Sequence, residues 1–171
     1  MTTMLKYYLS ESCKGNKEAA YEAARIMTFE HYNDVLIQNQ YRRSAELGYA
    51  PAQRDLGILG LCSKLITPTS TVGNITYYND DFAQAICWLK QAAKNHDGIA
   101  IYLLSKCYQQ NIGVEFNEDY AQRLFVIASK ILPLNQMIIM NVALSSLSDF
   151  NTAHESNSEG IIEDELIALV G

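Results

Sequence analysis

Catalysis needs reactive side chains in company, and the reactive residues of this chain stand apart. Its histidines are His31, His96 and His154, and its cysteines are Cys13, Cys62, Cys87 and Cys107. No CxxC pair occurs and no His lies at ligand spacing from a Cys, so no zinc site is expected. GxxxxGK, GxGxxG, HExxH and GxSxG are all absent, which leaves phosphate cradles, helical zinc pairs and nucleophile elbows without support. No His has a Ser or Cys in a triad-like context. The reading assigns no catalytic residue, no metal ligand and no cofactor. What the chain offers is side chains suited to gripping a partner. Tyr21, Arg25, Arg54, Ile58, Tyr102 and Lys106 fall at matching places in a recurring pattern. Tyr and Arg are the types enriched where interfaces concentrate their binding energy.

The pattern that positions them is clearest from Ser44 to Gly57, where a helix ends in small residues and a Gly and a second helix follows. It returns around Ala92-Ala93 and Ala100 to Leu104, and again near Ala128-Ser129. Recurrence at a few tens of residues is the mark of a helical solenoid. Three units are read, 15–47, 48–95 and 96–131, each of two helices. In the first helix of each, Ala19, Ala52 and Ala100 align. Ala23, Leu56 and Leu104 come next, then Ala24, Gly57 and Ser105, with Met27, Gly60 and Tyr108 closing it. Offsets of four, five and eight keep one apolar stripe on a 3.6-residue period. The second helices start at Asn33, Asp81 and Asn117, all good N-caps. They carry Ile37, Ala85 and Ala121 at one aligned place and Gln40, Trp88 and Leu124 at another.

A lone helix over 3–13 is expected to cap the array with Met4, Tyr7 and Tyr8 packed inward. A C-terminal cap helix is expected over 133–147, with Pro133 in its first turn and Met137, Ile138, Met140, Leu144 and Leu147 covering the end of the stack. Between the helices of the second unit, Cys62 to Asp80 holds about a dozen extra residues with Pro68, Gly73 and several Thr and Ser, a surface loop by composition. The fold class is therefore all-α, an α/α superhelix of about three antiparallel helix pairs with helical caps. This solenoid spans 1–147, and 148–171 forms an acidic linker and a short terminal segment.

Asp81-Phe82-Ala83-Gln84-Ala85-Ile86-Cys87-Trp88-Leu89-Lys90-Gln91-Ala92-Ala93 resembles the second helix of a Sel-one-like (Sel1) repeat, a relative of the tetratricopeptide repeat. Tyr108, Gly113-Val114 and Asn117 resemble that family's passage from first to second helix. The resemblance covers about Gly15 to Ser129. His96 stands where the family usually has Gly, and Asn111 and Asn117 stand for a Gly and an Asp. The family's disulfide-bearing members have cysteines in register, whereas Cys62, Cys87 and Cys107 are not, so buried free thiols are expected instead. The resemblance implies that the first helix of each pair lines a concave wall. On that wall Tyr21, Arg54 and Tyr102 would form one row and Arg25, Ile58 and Lys106 the next.

Charge narrows the partner. The chain carries 13 Lys and Arg against 19 Asp and Glu, a formal net charge of −6. No basic residue follows Lys130, while Asp149, Glu155, Glu159, Glu163, Asp164 and Glu165 do. Nucleic acid, whose phosphates demand a basic footprint, is not an expected partner. No window is apolar enough to span a bilayer, and the start of the chain shows no leader-like cleavage site. A cytoplasmic protein with no membrane partner is expected. The leading functional reading is a non-enzymatic adaptor or scaffold that holds another protein, or an acidic peptide segment, in the concave groove. The alternative is a stoichiometric inhibitor or immunity-type protein that neutralises a toxin or effector, and an enzyme such as a hydrolase is the third. The acidic segment Glu163-Asp164-Glu165 is also read as able to fold back on Arg25, Arg54 and Lys106.

Overall fold

The computed structural model describes residues 2–62, 71–72, 75–76 and 81–138. Within them the helices are α1 (Thr3–Cys13), α2 (Lys17–Phe29), α3 (Asp34–Glu46), α4 (Ala50–Leu61), α5 (Asp81–Lys94), α6 (Gly98–Gln110) and α7 (Glu118–Ile131). A further helical stretch covers 134–138. Each helix packs mainly on its neighbours in sequence, α1 on α2 through to α6 on α7. That nearest-neighbour pattern is the organisation of a solenoid. The chain is thus an all-α array of hairpin-linked helices.

The starts and stops follow from local chemistry. Asn16, Asn33, Asp97 and Asn117 each accept a backbone N–H of the first turn, from Ala19, Val35, Ala100 and Tyr120 respectively. Such caps satisfy amides that the helix cannot. The stops repeat just as closely. After α1, α3 and α5 the chain turns left-handed at Gly15 (φ 89°), Gly48 (φ 80°) and His96 (φ 59°). The following residue then bonds back five places: Asn16 to Glu11, Tyr49 to Ser44, and Asp97 to Ala92. This is the glycine-favoured helix stop. His96 occupies the glycine's place and still adopts its conformation.

Every position of the anticipated first-helix stripe is buried: Ala19, Ala52 and Ala100, then Ala23, Leu56 and Leu104, and on to Met27, Gly60 and Tyr108. Gly57 marks the tightest approach. A Cβ there would lie 2.6 Å from Leu89 of α5 and 3.2 Å from the Ala85 carbonyl. The largest cluster gathers α5, α6 and α7 around Leu89, Ile101, Leu104, Tyr108, Tyr120 and Leu124. A smaller one, with Leu5, Ala23, Met27 and Ile37, joins α1, α2 and α3. Ala45, Ala52 and Leu56 tie α3 to α4, with Tyr21, Tyr41, Tyr49 and Trp88 packed around them.

Four expectations are corrected or cut short. In α1 the inward face is Leu5, Tyr8, Leu9 and Ser12, whereas Met4 and Tyr7 are each 61% exposed. The packing phase is one residue from the anticipated one, because 5, 8, 9 and 12 fall on one helical face. The 62–80 connection is more than a plain loop, since Thr71–Val72 (β1) pairs antiparallel with Ile75–Thr76 (β2). The cysteines are free as anticipated, but only Cys107 is buried, and Cys13 and Cys87 are exposed. Of the expected C-terminal cap, Met137 is buried and Ile138 is 55% exposed; Met140, Leu144, Leu147 and the acidic segment lie outside the described residues.

Candidate interaction surface

The candidate residues sit on α2, α4 and α6, the first helices of successive pairs. Tyr21 and Arg54 are brought together by a residue the sequence reading passed over. The Tyr21 hydroxyl donates to Asp55 Oδ2 at 2.8 Å, and Arg54 Nε donates to Asp55 Oδ1 at 2.9 Å. Arg54 Nη1 then reaches Asp97 Oδ2 at 3.1 Å, while Asp97 Oδ1 caps α6. A continuous polar chain therefore runs from α2 through α4 to α6. Ring edges support its first link: Tyr21 lies 5.6 Å from Tyr41 and 5.2 Å from Tyr49, centroid to centroid.

Electrostatics at this chain follow from partial burial. Burial, with the hydrogen bond to Asp55 second, raises the Tyr21 phenol well above its ordinary range. Burial also raises the Asp97 carboxyl, against the opposing pull of the Ala100 N–H and Arg54. At Arg54 burial works against the charge, but Asp55 and Asp97 outweigh it and hold the guanidinium above its usual value. Arg54 is therefore committed to the protein's own carboxylates. Its Nε and Nη1 link α4 to the start of α6.

The other candidates differ among themselves. Arg25 is exposed and its Nη1 pairs with Glu22 at 3.1 Å, with its guanidinium 6.0 Å above the Tyr21 ring. Lys106 lies over two rings, 5.7 Å from Tyr102 and 5.9 Å from Phe125, and its Nζ donates to Gln109 at 3.1 Å. Tyr102 was expected to present its face on the wall, but it is only 2% exposed. It packs against Phe125 of α7 and serves as a floor for Lys106. Ile58 is half-buried. It lines a cavity of about 690 Å³ together with Thr28, Ile37, Tyr41, Asp55 and Leu59.

Asp55 and Asp97 were the residues missed. Asp55 follows Arg54 directly, and Asp97 immediately precedes the third unit's first helix; an N-cap reading of Asp97 was the signal that could have found it. Among the described residues no group of three or more His, Cys, Asp or Glu is placed to hold a metal ion. No helix among them is long and apolar enough to cross a membrane.

Neither a sequence-family profile nor a curated protein sequence matches the chain. Its shape does find relatives. A Sel1 repeat protein from Oxalobacter formigenes superposes with a TM-score of 0.63 at 22% identity, over 85% of this chain and 97% of the other. The fold is that of a Sel1-repeat protein. A protective antigen present in uropathogenic Escherichia coli strains, described as displaying the same fold, superposes with a TM-score of 0.54 at 19% identity. That match covers 92% of this chain but 37% of the antigen. Helical solenoids stack such pairs into extended surfaces.

Proposed function

We propose that this chain is a non-enzymatic member of the Sel1-like repeat family that holds a segment of another protein along the wall formed by α2, α4 and α6. The observation that supports this most directly is the hydrogen-bonded chain Tyr21–Asp55–Arg54–Asp97. It links the first helices of three successive pairs, and a preorganised wall binds without a large ordering cost. On that wall Arg25 and Lys106 are the cations that meet the partner's carboxylates. Arg54 keeps the helices aligned, and Tyr102 supports Lys106 from below. Ile58 supplies apolar contact beside them. Free thiols and the absence of any spanning helix among the described residues suit a cytoplasmic setting.

The test is capture of binding proteins by the immobilised full chain, followed by mass spectrometry, beside an Arg25→Glu/Lys106→Glu double variant. Arg25 is exposed and Lys106 only half-buried, so helicity by circular dichroism should be retained. Proteins held by the wild type should be depleted about tenfold or more on the variant, and their retention should weaken with added salt. Equal capture by a folded double variant would reject the wall as the binding face.

A further inference from the structure

α2 and α4 are bridged by side chains. Toward the start of α4 the gap between them is filled by the Tyr21, Tyr41 and Tyr49 rings and the Tyr21–Asp55 hydrogen bond. Toward their ends it opens into the 690 Å³ cavity. Ile37 and Tyr41 of α3 form the floor, and Ile58 and Leu59 of α4 form one wall. The opening is edged by Asp34, exposed in the first turn of α3, and by Asp55. Among the described residues, none that lines it is cationic. Close by, Arg25 is paired with Glu22, and Arg54 is shared between Asp55 and Asp97. Two carboxylates, Asp34 and Asp55, thus edge an apolar floor.

We propose that this crevice is a docking pocket for a partner segment that presents a bulky apolar side chain next to a Lys or Arg. The proposal rests on the reading that the inner wall receives a protein segment, and it assigns that segment's chemistry at one place. A cavity of this size is in the range that buries a ligand with several anchoring groups. Its aliphatic floor rewards removal of a large side chain from water. A carboxylate offers about four acceptor sites, and Asp55 uses one on Tyr21 and one on Arg54, so it can still accept from an incoming cation. Asp34 supplies a second charge, and the Tyr41 ring offers a face that attracts a cation. An acidic flank would meet like charges here. The wall is therefore electrically two-ended. It takes carboxylates at Lys106 and Arg25, and an apolar anchor with a basic neighbour between α2 and α4.

The probes are dye-labelled synthetic peptides of about twelve residues with a central Trp, flanked either by Arg or by Glu, titrated into the full chain by fluorescence anisotropy. The Arg-flanked peptide should bind about tenfold more tightly than the Glu-flanked one. It should also shift the methyl NMR signals of Ile37, Ile58 and Leu59. Ile58→Lys, which puts a cation in the cavity mouth, should weaken that peptide about tenfold or more, and Asp34→Asn should weaken it by about threefold. Equal affinity for the two peptides would overturn the pocket, as would undiminished binding to an Ile58→Lys chain of wild-type helicity. If the pocket fails while the Arg25→Glu/Lys106→Glu variant still loses its captured proteins, the wall stands and only this docking chemistry falls. The reverse result would confine binding to the crevice.

Discussion

At the scale of single residues, the polar link from α2 to α4 and on to α6 concentrates on Asp55. One carboxylate holds a tyrosine from the preceding first helix and the arginine beside it, and that arginine carries the link onward to α6. Tyr21 and Arg54 stood out in the sequence because they align when the repeats are superposed. Asp55 did not, since a charged residue one place off the aligned row looks like ordinary solvated surface until the fold sets it against Tyr21. Tyr102 shows the opposite failure: helical periodicity placed it on an open face, and only the position of Phe125 on α7 reveals that it is covered. Tyr21→Phe isolates the Asp55 link. Loss of a half-buried, charge-assisted hydrogen bond should cost about 1 kcal/mol near neutral pH. The pH dependence has a definite sign. The folded chain holds the Tyr21 proton above the ordinary value of 10.0, so the stabilisation is complete below that pH. It disappears as the pH climbs past it and the unfolded phenol ionises first. Urea denaturation should therefore show a shallower alkaline loss in Tyr21→Phe than in the wild type. Parallel curves above pH 10 would mean that neither burial nor the bond to Asp55 holds the Tyr21 proton.

At the scale of elements, the helices and their order were legible because three signals agreed: the 3.6-residue stripe, the Asx caps and the small residues before each turn. His96 looked like a departure at the sequence level. In the fold it keeps the left-handed φ and the five-residue return bond of Gly15 and Gly48, so the turn is conserved in geometry although not in residue. That conformation carries a strain of order 1 kcal/mol without glycine. The phase of α1 was misread because Met4 and Tyr7 are bulky and apolar, whereas burial in that helix also uses Ser12, bonded to Gln40 of α3. Close packing of α4 on α5 makes the sharpest demand on a side chain. Gly57→Val would drive methyl groups into Leu89 and the Ala85 carbonyl, where even a Cβ has no room. Overpacking of this kind should destabilise the chain by about 1–3 kcal/mol. Leu89→Ala placed on top should recover part of the loss, because the first clash is with that side chain. Thermal melts of the two variants decide it. A Gly57→Val chain as stable as wild type would show that α4 and α5 do not meet this closely.

At the scale of the whole molecule, the core is unevenly shared along the array. α5, α6 and α7 enclose a continuous cluster with the Tyr108 and Tyr120 rings 4.6 Å apart, while α1, α2 and α3 bury mostly Ala, with Leu5, Met27 and Ile37. Small side chains bring the helices together but remove less apolar surface from water per residue. In a solenoid each unit is supported by its neighbours alone, so stability is a sum of local terms and can differ between ends. Polar links reinforce the Ala45–Ala52–Leu56 cluster at the junction. Gln53 donates to the Ala45 carbonyl at the end of α3 and accepts from Asn95 after α5, at 3.0 and 2.9 Å. Native-state hydrogen exchange should accordingly divide the chain. Amides in α6 and α7 should exchange only through the largest opening, and those in α1 and α2 through a smaller one of lower free energy. Gln53→Ala, which removes the polar links from α4 to the ends of α3 and α5 while leaving the apolar clusters filled, should widen that difference by accelerating exchange in α1 to α3 with little effect in α7. Uniform exchange across the array, unaltered by Gln53→Ala, would mean that the helices open as one cooperative block. The wall of α2, α4 and α6 would then owe its alignment to the core as a whole and not to the polar chain along it.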